Sequence, residues 1–334
     1  MTEECGVSYH HADEMSACGR QVLEAALKAI RHNYSATVDP YRGQAEMNQV
    51  NTEYAGVPQL FASYGMTDPA TSQSAVDDLF SVADNLEPAN AVKLDPRSGD
   101  SGKQLLSPLP KHTGGWTDRL SIADRTHDIG THLENWQGAA RAQFDLFFVN
   151  HIETAIPLQA ALARSLALIL QAHQEIRARA NADVWEIGQK TVQALHAESA
   201  MCSCSPSTIT ATVTVGTAAA SVLTAGGALA ATMAAFSFAN AIANASMAGS
   251  REDKAKISGG TPLAILANMR TAVDQVKQAI ADQERELATL TNTLADNVAS
   301  IGERMEIPSP NDAPGFRAAI RNPDDPCGFR PTSR

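Results

Sequence analysis

The chain has few aromatic residues and fewer positive than negative charges, and both shortages exclude classes of protein. Aromatic side chains make up 5% of the 334 residues, whereas β-sheet proteins are rich in aromatic and β-branched residues. The 26 basic residues face 37 acidic ones, a net charge of −11, which argues against the lysine- and arginine-rich face that nucleic acids require. Alanine, the strongest helix former, occurs 57 times. The composition therefore predicts an all-α protein without a nucleic-acid partner.

Cysteine is also scarce, and the first residues lack the pattern of a secretory leader. Five cysteines are too few and too scattered for a disulfide framework. The spacing of Cys5, His10, His11 and Cys18 matches no common zinc site. Because the amino terminus carries neither a basic nor an apolar stretch, we expect any export to use a signal-peptide-independent route.

Catalytic motifs are missing from the printed sequence. The glycine-rich run 99–103 lacks the spacing of a phosphate-binding loop, and no nucleophile elbow of the G-x-S-x-G type occurs. We therefore expect a protein that is not an enzyme and that uses no cofactor and no metal.

Apolar residues recur three and four positions apart over several stretches, the spacing of an amphipathic helix. Helices are predicted over 14–33, 45–54, 71–86, 116–135, 158–198 and 261–302. The apolar face expected in 14–33 is Met15, Cys18, Val22, Ala26 and Ile30. The seam expected in 158–198 is Leu162, Leu166, Ile169, His173, Ile176, Ala180, Val184, Ile187 and Leu195. Pro40 and Gly43 are expected to interrupt the pattern, and Pro157 to kink or restart a helix because it removes a backbone donor.

The run 261–302 has the most regular pattern. Thr261 can cap its start, and Pro262 occupies the favoured first helical position. Its apolar seam alternates steps of three and four, as in a coiled coil, and the helix 158–198 is the expected partner. The predicted fold is an all-α, elongated helical bundle with long antiparallel coiled-coil-like helices.

Residues 199–250 contain no Asp, Glu, Lys, Arg or His in 52 positions. Two halves, 209–223 and 228–247, approach the length of a membrane span, but alanine, glycine, threonine and serine dominate them, and such spans insert poorly. Three readings stay open: a buried or oligomer-interface helical hairpin, conditional membrane insertion, and a flexible loop.

Proline and glycine divide the chain into three predicted regions. Residues 1–113 form an amino-terminal helical region that ends in a Pro/Gly linker, residues 114–306 form a bundle that includes the uncharged segment, and residues 307–334 form a proline-rich tail.

The string WQGAARAQF at 136–144 is typical of a helix–turn–helix. Trp136 closes an apolar stripe, Gly138 permits a tight turn, and Phe144 fills the core one turn later. With its flanking helices, this Trp-x-Gly helix–turn–helix resembles the signature of the WXG100 superfamily, helical-hairpin substrates of the type VII (ESX) secretion system in actinobacteria.

The chain also resembles the longer EspB-like members, which fuse PE-like and PPE-like parts. In those proteins a Tyr-x-x-x-Asp/Glu export signal precedes the Trp-x-Gly turn. Tyr64 and Asp68 match that pattern, and their spacing would place both side chains on one helical face. Tyr9 and Asp13 match it as well; Tyr64 and Asp68 are preferred because they follow an amino-terminal helical pair and precede the linker.

The resemblance implies a non-enzymatic secretion substrate that acts by helical assembly or surface binding. Expected partners are the type VII machinery or a WXG100-type helical protein, and the chain itself as a homo-oligomer. It would be cytoplasmic before export and then secreted or attached to the cell surface. Two alternatives are a pore-forming effector that inserts residues 199–250 into membrane lipid, and an intracellular helical scaffold.

Overall fold

A computed structural model describes residues 9–35, 40–66, 70–86, 136–199, 209–215, 253–305 and 330–331. Most of these residues are helical, so the helical class is confirmed. The helices are α1 (Ala12–Ser35), α2 (Pro40–Glu53), α3 (Val57–Ala62), α4 (Ala70–Leu86), α5 (Ala139–Phe144), α6 (Asn150–Ser199) and α7 (Pro262–Met305), with a π-helical turn, Asp145–Val149, between α5 and α6. The strands are β1 (Trp136–Gln137), β2 (Thr210–Val213), β3 (Asp253–Lys256) and β4 (Arg330–Pro331).

The chain divides into two compact units. The first combines Met1–Ser72, Gln171–Val222 and Asn244–Ala288, and the second combines Gln73–Leu170, Leu223–Ala243 and Thr289–Arg334. Each unit therefore gathers segments that are far apart in sequence. The three consecutive regions expected from proline and glycine stay a prediction, and the predicted helix 116–135 lies outside the described residues.

Helix α1 forms because its apolar residues occupy one face, as predicted for 14–33. That face is buried to 1% exposure or less at every predicted position: Met15, Cys18, Val22, Ala26 and Ile30. Helix α3 packs closely against it, since a Cβ on Gly19 would come within 2.7 Å of the Pro58 Cα atom. The glycine allows this backbone approach.

Helix α2 begins earlier than expected. Pro40 and Gly43 were expected to break the pattern, but Pro40 is the first residue of the helix and Gly43 is buried within it. Proline is well tolerated in the first turn, where its missing N–H would have no helical acceptor. Gly43 lies against the side chain of Tyr34: a Cβ on this glycine would come within 2.7 Å of the Tyr34 Cβ atom and 2.9 Å of its ring.

Helix α6 runs for 50 residues without interruption, so the restart expected at Pro157 does not occur. Most of its predicted seam is buried, including Ile176, Val184 and Ile187. The predicted burial was wrong at two positions of this seam. Leu166 is 39% exposed, and His173 lies on the surface, with its Nε2 atom 3.9 Å from a carboxylate oxygen of Glu284. Within the second unit, Arg164 of α6 donates to Asp84 of α4 at 3.1 Å.

Helix α7 begins as predicted. The Thr261 hydroxyl accepts a hydrogen bond from the amide of Ala264 at 3.2 Å. Of the predicted seam, eight residues are buried: Leu266, Met269, Val273, Val276, Gln283, Leu287, Leu290 and Leu294. Ile280 and Asn297, also predicted, are only partly buried. Within the first unit, α7 contacts α6 through a hydrogen-bonded ion pair between Arg177 and Glu284 at 3.0 Å.

The antiparallel sheet of β2 and β3 corrects one expectation. None of the three readings of the half-segment 209–223 included a strand, but residues 210–213 form a strand that pairs with 253–256. Threonine alternates with alanine and valine here, and side chains alternate faces along a strand. Ala211, Val213 and Val215 are accordingly buried. The two ends of the intervening chain meet at this sheet, where Val213 lies opposite Asp253.

Candidate functional site

Three segments of the first unit that are distant in sequence contact the middle of α6: residues 9–11, 64–66 and 214–215. Asn181 binds the first two. Its side chain is fully buried. The side-chain oxygen accepts the amide of His10 at 2.8 Å, while the side-chain nitrogen donates to the carbonyls of His10 and Tyr64, both at 2.8 Å. One amide therefore ties the chain before α1 and the chain after α3 to α6, which we call the Asn181 clamp.

Further contacts surround the Asn181 clamp. The His10 ring stacks on Trp185 of α6, with centroids 3.7 Å apart and planes at 16°. Its Nδ1 atom is 3.4 Å from a carboxylate oxygen of Glu14. The amide of Met66 donates to the His10 carbonyl at 3.1 Å, and the His11 ring contacts the Met66 carbonyl at 3.1 Å. The segments 9–11 and 64–66 thus lie side by side.

Tyr64, the first predicted signal residue, follows the end of α3 and is half-buried. Burial is the main reason that the pKa of its phenol lies above the ordinary 10.0; the carboxylate of Asp274 raises it further, and the guanidinium of Arg177 lowers it. The phenol is therefore neutral at physiological pH. Asp68, its predicted partner, lies outside the described residues.

Tyr9 and Asp13, the alternative motif, both lie at the start of the described chain. Tyr9 is 37% exposed, and its ring meets the His11 ring edge-on at 5.5 Å. Asp13 is exposed in the first turn of α1. Both tyrosines of the candidate signals therefore flank the Asn181 clamp, one on each of the two segments it joins.

Asp183, two residues along α6, holds the third segment. One carboxylate oxygen accepts the amides of Thr214 and Val215 at 2.7 and 3.0 Å, and the other accepts the Thr214 hydroxyl at 2.8 Å. Asp183 is 3% exposed. Burial raises the pKa of its carboxyl above 3.8, although the three hydrogen bonds act in the opposite direction. The end of β2 is thereby fastened to α6.

Helices α1, α3 and α6 approach one another closely at Gly188, further along α6. A Cβ on Gly188 would come within 2.5 Å of the Cys18 sulfur and 2.7 Å of the Phe61 ring. Cys18 is buried, and burial raises the pKa of its thiol to about 11. A thiol with that pKa stays protonated at neutral pH, which is unfavourable for a metal ligand.

The Trp-x-Gly turn belongs to the second unit. Trp136 and Gln137 are extended and pair with Pro331 and Arg330. Gly138 follows with φ 106° and ψ −175° and precedes the first residue of α5. This region of backbone space is essentially restricted to glycine. Gly138 thus joins the extended residues Trp136 and Gln137 directly to α5. The helix expected before the turn lies outside the described residues, so the helix–turn–helix stays a prediction.

Phe144 ends α5, and the π-helical turn that follows was not foreseen from the sequence. The Phe144 ring is half-buried and lies 5.1 Å from the ring of Phe148. Arg141 donates to Asp145 at 2.6 Å across this junction, and Leu146 is 54% exposed. Turns of this kind are rare and occur often at functional sites.

The predicted site residues are thus divided between the units: Tyr64 belongs to the first, and Trp136, Gly138 and Phe144 belong to the second. Asn181 and Asp183 were missed. The only signal in the sequence was their position, since each is a polar residue beside the apolar seam of a long helix.

Neither a metal centre nor a membrane span emerges from the part of the chain that the structure describes. Within that part, no three His, Cys, Asp or Glu side chains are placed to hold a metal ion. The helices in the same ranges are all too short or too polar to cross a bilayer. No protein-family model, curated protein or solved structure matches the chain.

Proposed function

We propose that this chain is a non-enzymatic substrate of a type VII secretion system, similar to WXG100 and EspB-like proteins, that acts by helical assembly or surface binding. The observation that carries the proposal is the conformation of Gly138. A signature built on Trp-x-Gly needs a glycine that can turn the chain directly before a helix, and Gly138 has φ 106° immediately before α5.

The position of Tyr64 supports the same proposal. Tyr64 lies in the turn that follows the short helix α3. It is therefore not part of a long helix. Tyr64 and Asp68 would form the composite export signal together with Trp136, Gly138 and Phe144. The contact between Arg177 and Glu284 supports an elongated bundle in which α6 and α7 pair as a coiled coil.

The proposed partners are the secretion machinery or a WXG100-type helical protein, and further copies of the chain. The protein would be cytoplasmic before export, and secreted or attached to the cell surface afterwards. Because a binding role requires surfaces rather than a reactive group, we propose no catalytic residue.

The export proposal is tested in a host that has a type VII system, by comparing culture filtrate with cell lysate and with a lysis marker. Trp136→Ala and Tyr64→Ala are expected to remain in the lysate, while Tyr41→Ala is expected in the filtrate like the parent. Tyr41 is a suitable control because it is 88% exposed and lies outside both candidate motifs. Unchanged secretion of both test variants would contradict the proposal, and absence of the parent from the filtrate would favour an intracellular scaffold.

A second candidate, a membrane-inserting effector, is favoured by the sheet of β2 and β3. The pairing of Val213 with Asp253 brings together the two ends of a chain segment without charge over most of its length, as a hairpin insertion would require. Ala211, Val213 and Val215 are buried in the first unit. The first inserted half would therefore begin after Val215 and be shorter than 209–223.

Flotation with anionic and zwitterionic vesicles at neutral and acidic pH tests this candidate. A protein that inserts floats with the vesicles, and a Gly226→Asp/Ala230→Asp variant, which places two charges in the uncharged segment, should float less because charged residues are costly in a bilayer. A parent protein that stays in the soluble fraction under every condition eliminates the candidate.

A further inference from the structure

Residues 9–11 contact α6 as a bound peptide contacts its receptor. The side chain of Asn181 accepts the amide of His10 and donates to the carbonyl of the same residue, both at 2.8 Å. An amide side chain that pairs with both backbone groups of one residue holds an extended segment whatever its side chains are. The third hydrogen bond of Asn181, to the Tyr64 carbonyl, fixes the orientation of the amide.

The segment 64–66 contacts the same backbone carbonyl of His10. The His10 carbonyl also accepts the amide of Met66, and the His11 ring contacts the Met66 carbonyl. Above the backbone, the His10 ring lies flat on Trp185 at 3.7 Å. Hydrogen bonds to the His10 backbone from α6 and from 64–66, together with a flat aromatic surface, form a site with a preference for a planar side chain at one position.

The attachment of residues 9–11 consists of hydrogen bonds and one ring stack. Tyr9 is 37% exposed, His11 is exposed, and the first buried apolar side chain among the described residues is Met15. Segments with few buried apolar contacts open locally at a free energy far below that of global unfolding. The segment can therefore leave its place with loss of only the first turn of α1, where the Met15 amide donates to the His11 carbonyl and the His11 amide donates to Glu14.

We infer that Asn181, Trp185 and the segment 64–66 form a binding site for an extended peptide that carries an imidazole, and that residues 9–11 are its internal occupant. A peptide of the same sequence, whether added or supplied by a second copy of the chain, fits the site once the internal segment leaves. The inference goes beyond the proposed function and does not depend on export.

The test uses the full chain with Trp116→Phe and Trp136→Phe, so that Trp185 is the remaining indole of the three. In this background His10→Pro removes both the amide donor and the stacked imidazole, and the emission of Trp185 is expected to rise because a stacked imidazole quenches indole. A synthetic peptide of residues 6–14 should then restore the quenching saturably. The same peptide with alanine in place of His10 serves as the matched control and should bind at least about tenfold more weakly, a difference of ~1.4 kcal/mol.

Saturable quenching by the first peptide, and its loss in a chain that also carries Asn181→Ala, support the inference. A His10→Pro chain that keeps its helical circular dichroism but does not respond to the peptide overturns it. Amide hydrogen exchange of the unaltered chain is a second test of the inference, and its outcome does not depend on whether the variant folds. Amides of His10 and Met66 that exchange faster than the amide of Cys18 support a separable site, and equal rates overturn it.

Discussion

Replacing Asp183 by alanine is expected to destabilise the first unit, because the carboxylate is the acceptor for three donors at the end of β2. The amides of Thr214 and Val215 and the Thr214 hydroxyl lie 2.7, 3.0 and 2.8 Å from its oxygens. Val215 is fully buried, so water cannot easily replace the lost acceptor. Asp183→Ala therefore leaves at least one buried backbone donor without a partner.

The size of this loss follows from two opposing contributions. Hydrogen bonds to a charged acceptor stabilise by about 1.5–3 kcal/mol each, or roughly 5–9 kcal/mol for three. Keeping a carboxylate at 3% exposure costs several kcal/mol of lost hydration. The expected net loss for Asp183→Ala is about 2–4 kcal/mol in the free energy of unfolding.

Asparagine separates the hydrogen bonds from the charge. Its amide oxygen can accept the two backbone donors, and its amide nitrogen can donate to the Thr214 hydroxyl. Asp183→Asn should therefore stay within about 1 kcal/mol of the parent. Glu186→Ala is the matched control, because Glu186 is only half-buried on the same helix, and it should change stability by about 0.5 kcal/mol or less.

The sign of the pH dependence is also determined. Burial raises the pKa of Asp183 in the folded state above the ordinary 3.8, so the folded protein binds this proton more tightly than the unfolded chain does. The stability of the parent relative to Asp183→Asn should therefore increase as the pH falls through the raised pKa, and should level off below 3.8. Urea unfolding followed by circular dichroism at several pH values measures both quantities.

Two results would refute this reasoning about Asp183. If Asp183→Ala loses no more stability than Glu186→Ala, the three hydrogen bonds do not hold the end of β2. If the parent loses stability relative to Asp183→Asn on acidification, the hydrogen bonds outweigh burial and the folded pKa is lowered.

Three further substitutions test other parts of the fold by the same unfolding measurement. Gly188→Ala should lower the free energy of unfolding by about 1–3 kcal/mol through overpacking, because the added Cβ would meet the sulfur of Cys18 at 2.5 Å. Gly56→Ala is the control, since a Cβ there meets nothing within 4 Å. Equal effects of the two substitutions would contradict the close packing at Gly188. Thr261→Ala should cost about 1 kcal/mol by loss of the helix cap, and rescue by Ser but not by Val would identify the hydroxyl. Gly138→Ala should cost about 1–3 kcal/mol through backbone strain alone, since its Cβ position is open; a neutral effect would show that the turn tolerates other residues.

Local patterns in the sequence predicted the helices well. The stripe of α1 and most of the heptad seam of α7 are buried as expected, because both depend on spacing along one helix. The cap at Thr261 and the turn at Gly138 also follow from local chemistry, since each involves residues within three positions of one another.

Expectations that depended on a neighbouring element were less accurate. Leu166 and His173 fit the α6 pattern but are exposed, because the neighbours that would bury them are not specified by periodicity. The strand 210–213 was not among the readings of the uncharged segment, because the composition of the whole segment concealed a short run in which β-branched residues occur at alternating positions. The partner strand, 253–256, lies beyond that segment.

The sequence by itself determined that the described part of this protein is mostly helical and where its long helices run. Only the tertiary structure decided which polar residues hold it together. Asn181 and His10 are separated by 171 positions, Asn181 and Tyr64 by 117, and Asp183 and Thr214 by 31. Periodicity describes neighbours along one helix, whereas a buried amide or carboxylate finds its partners in space, and those partners become known only when the chain is folded.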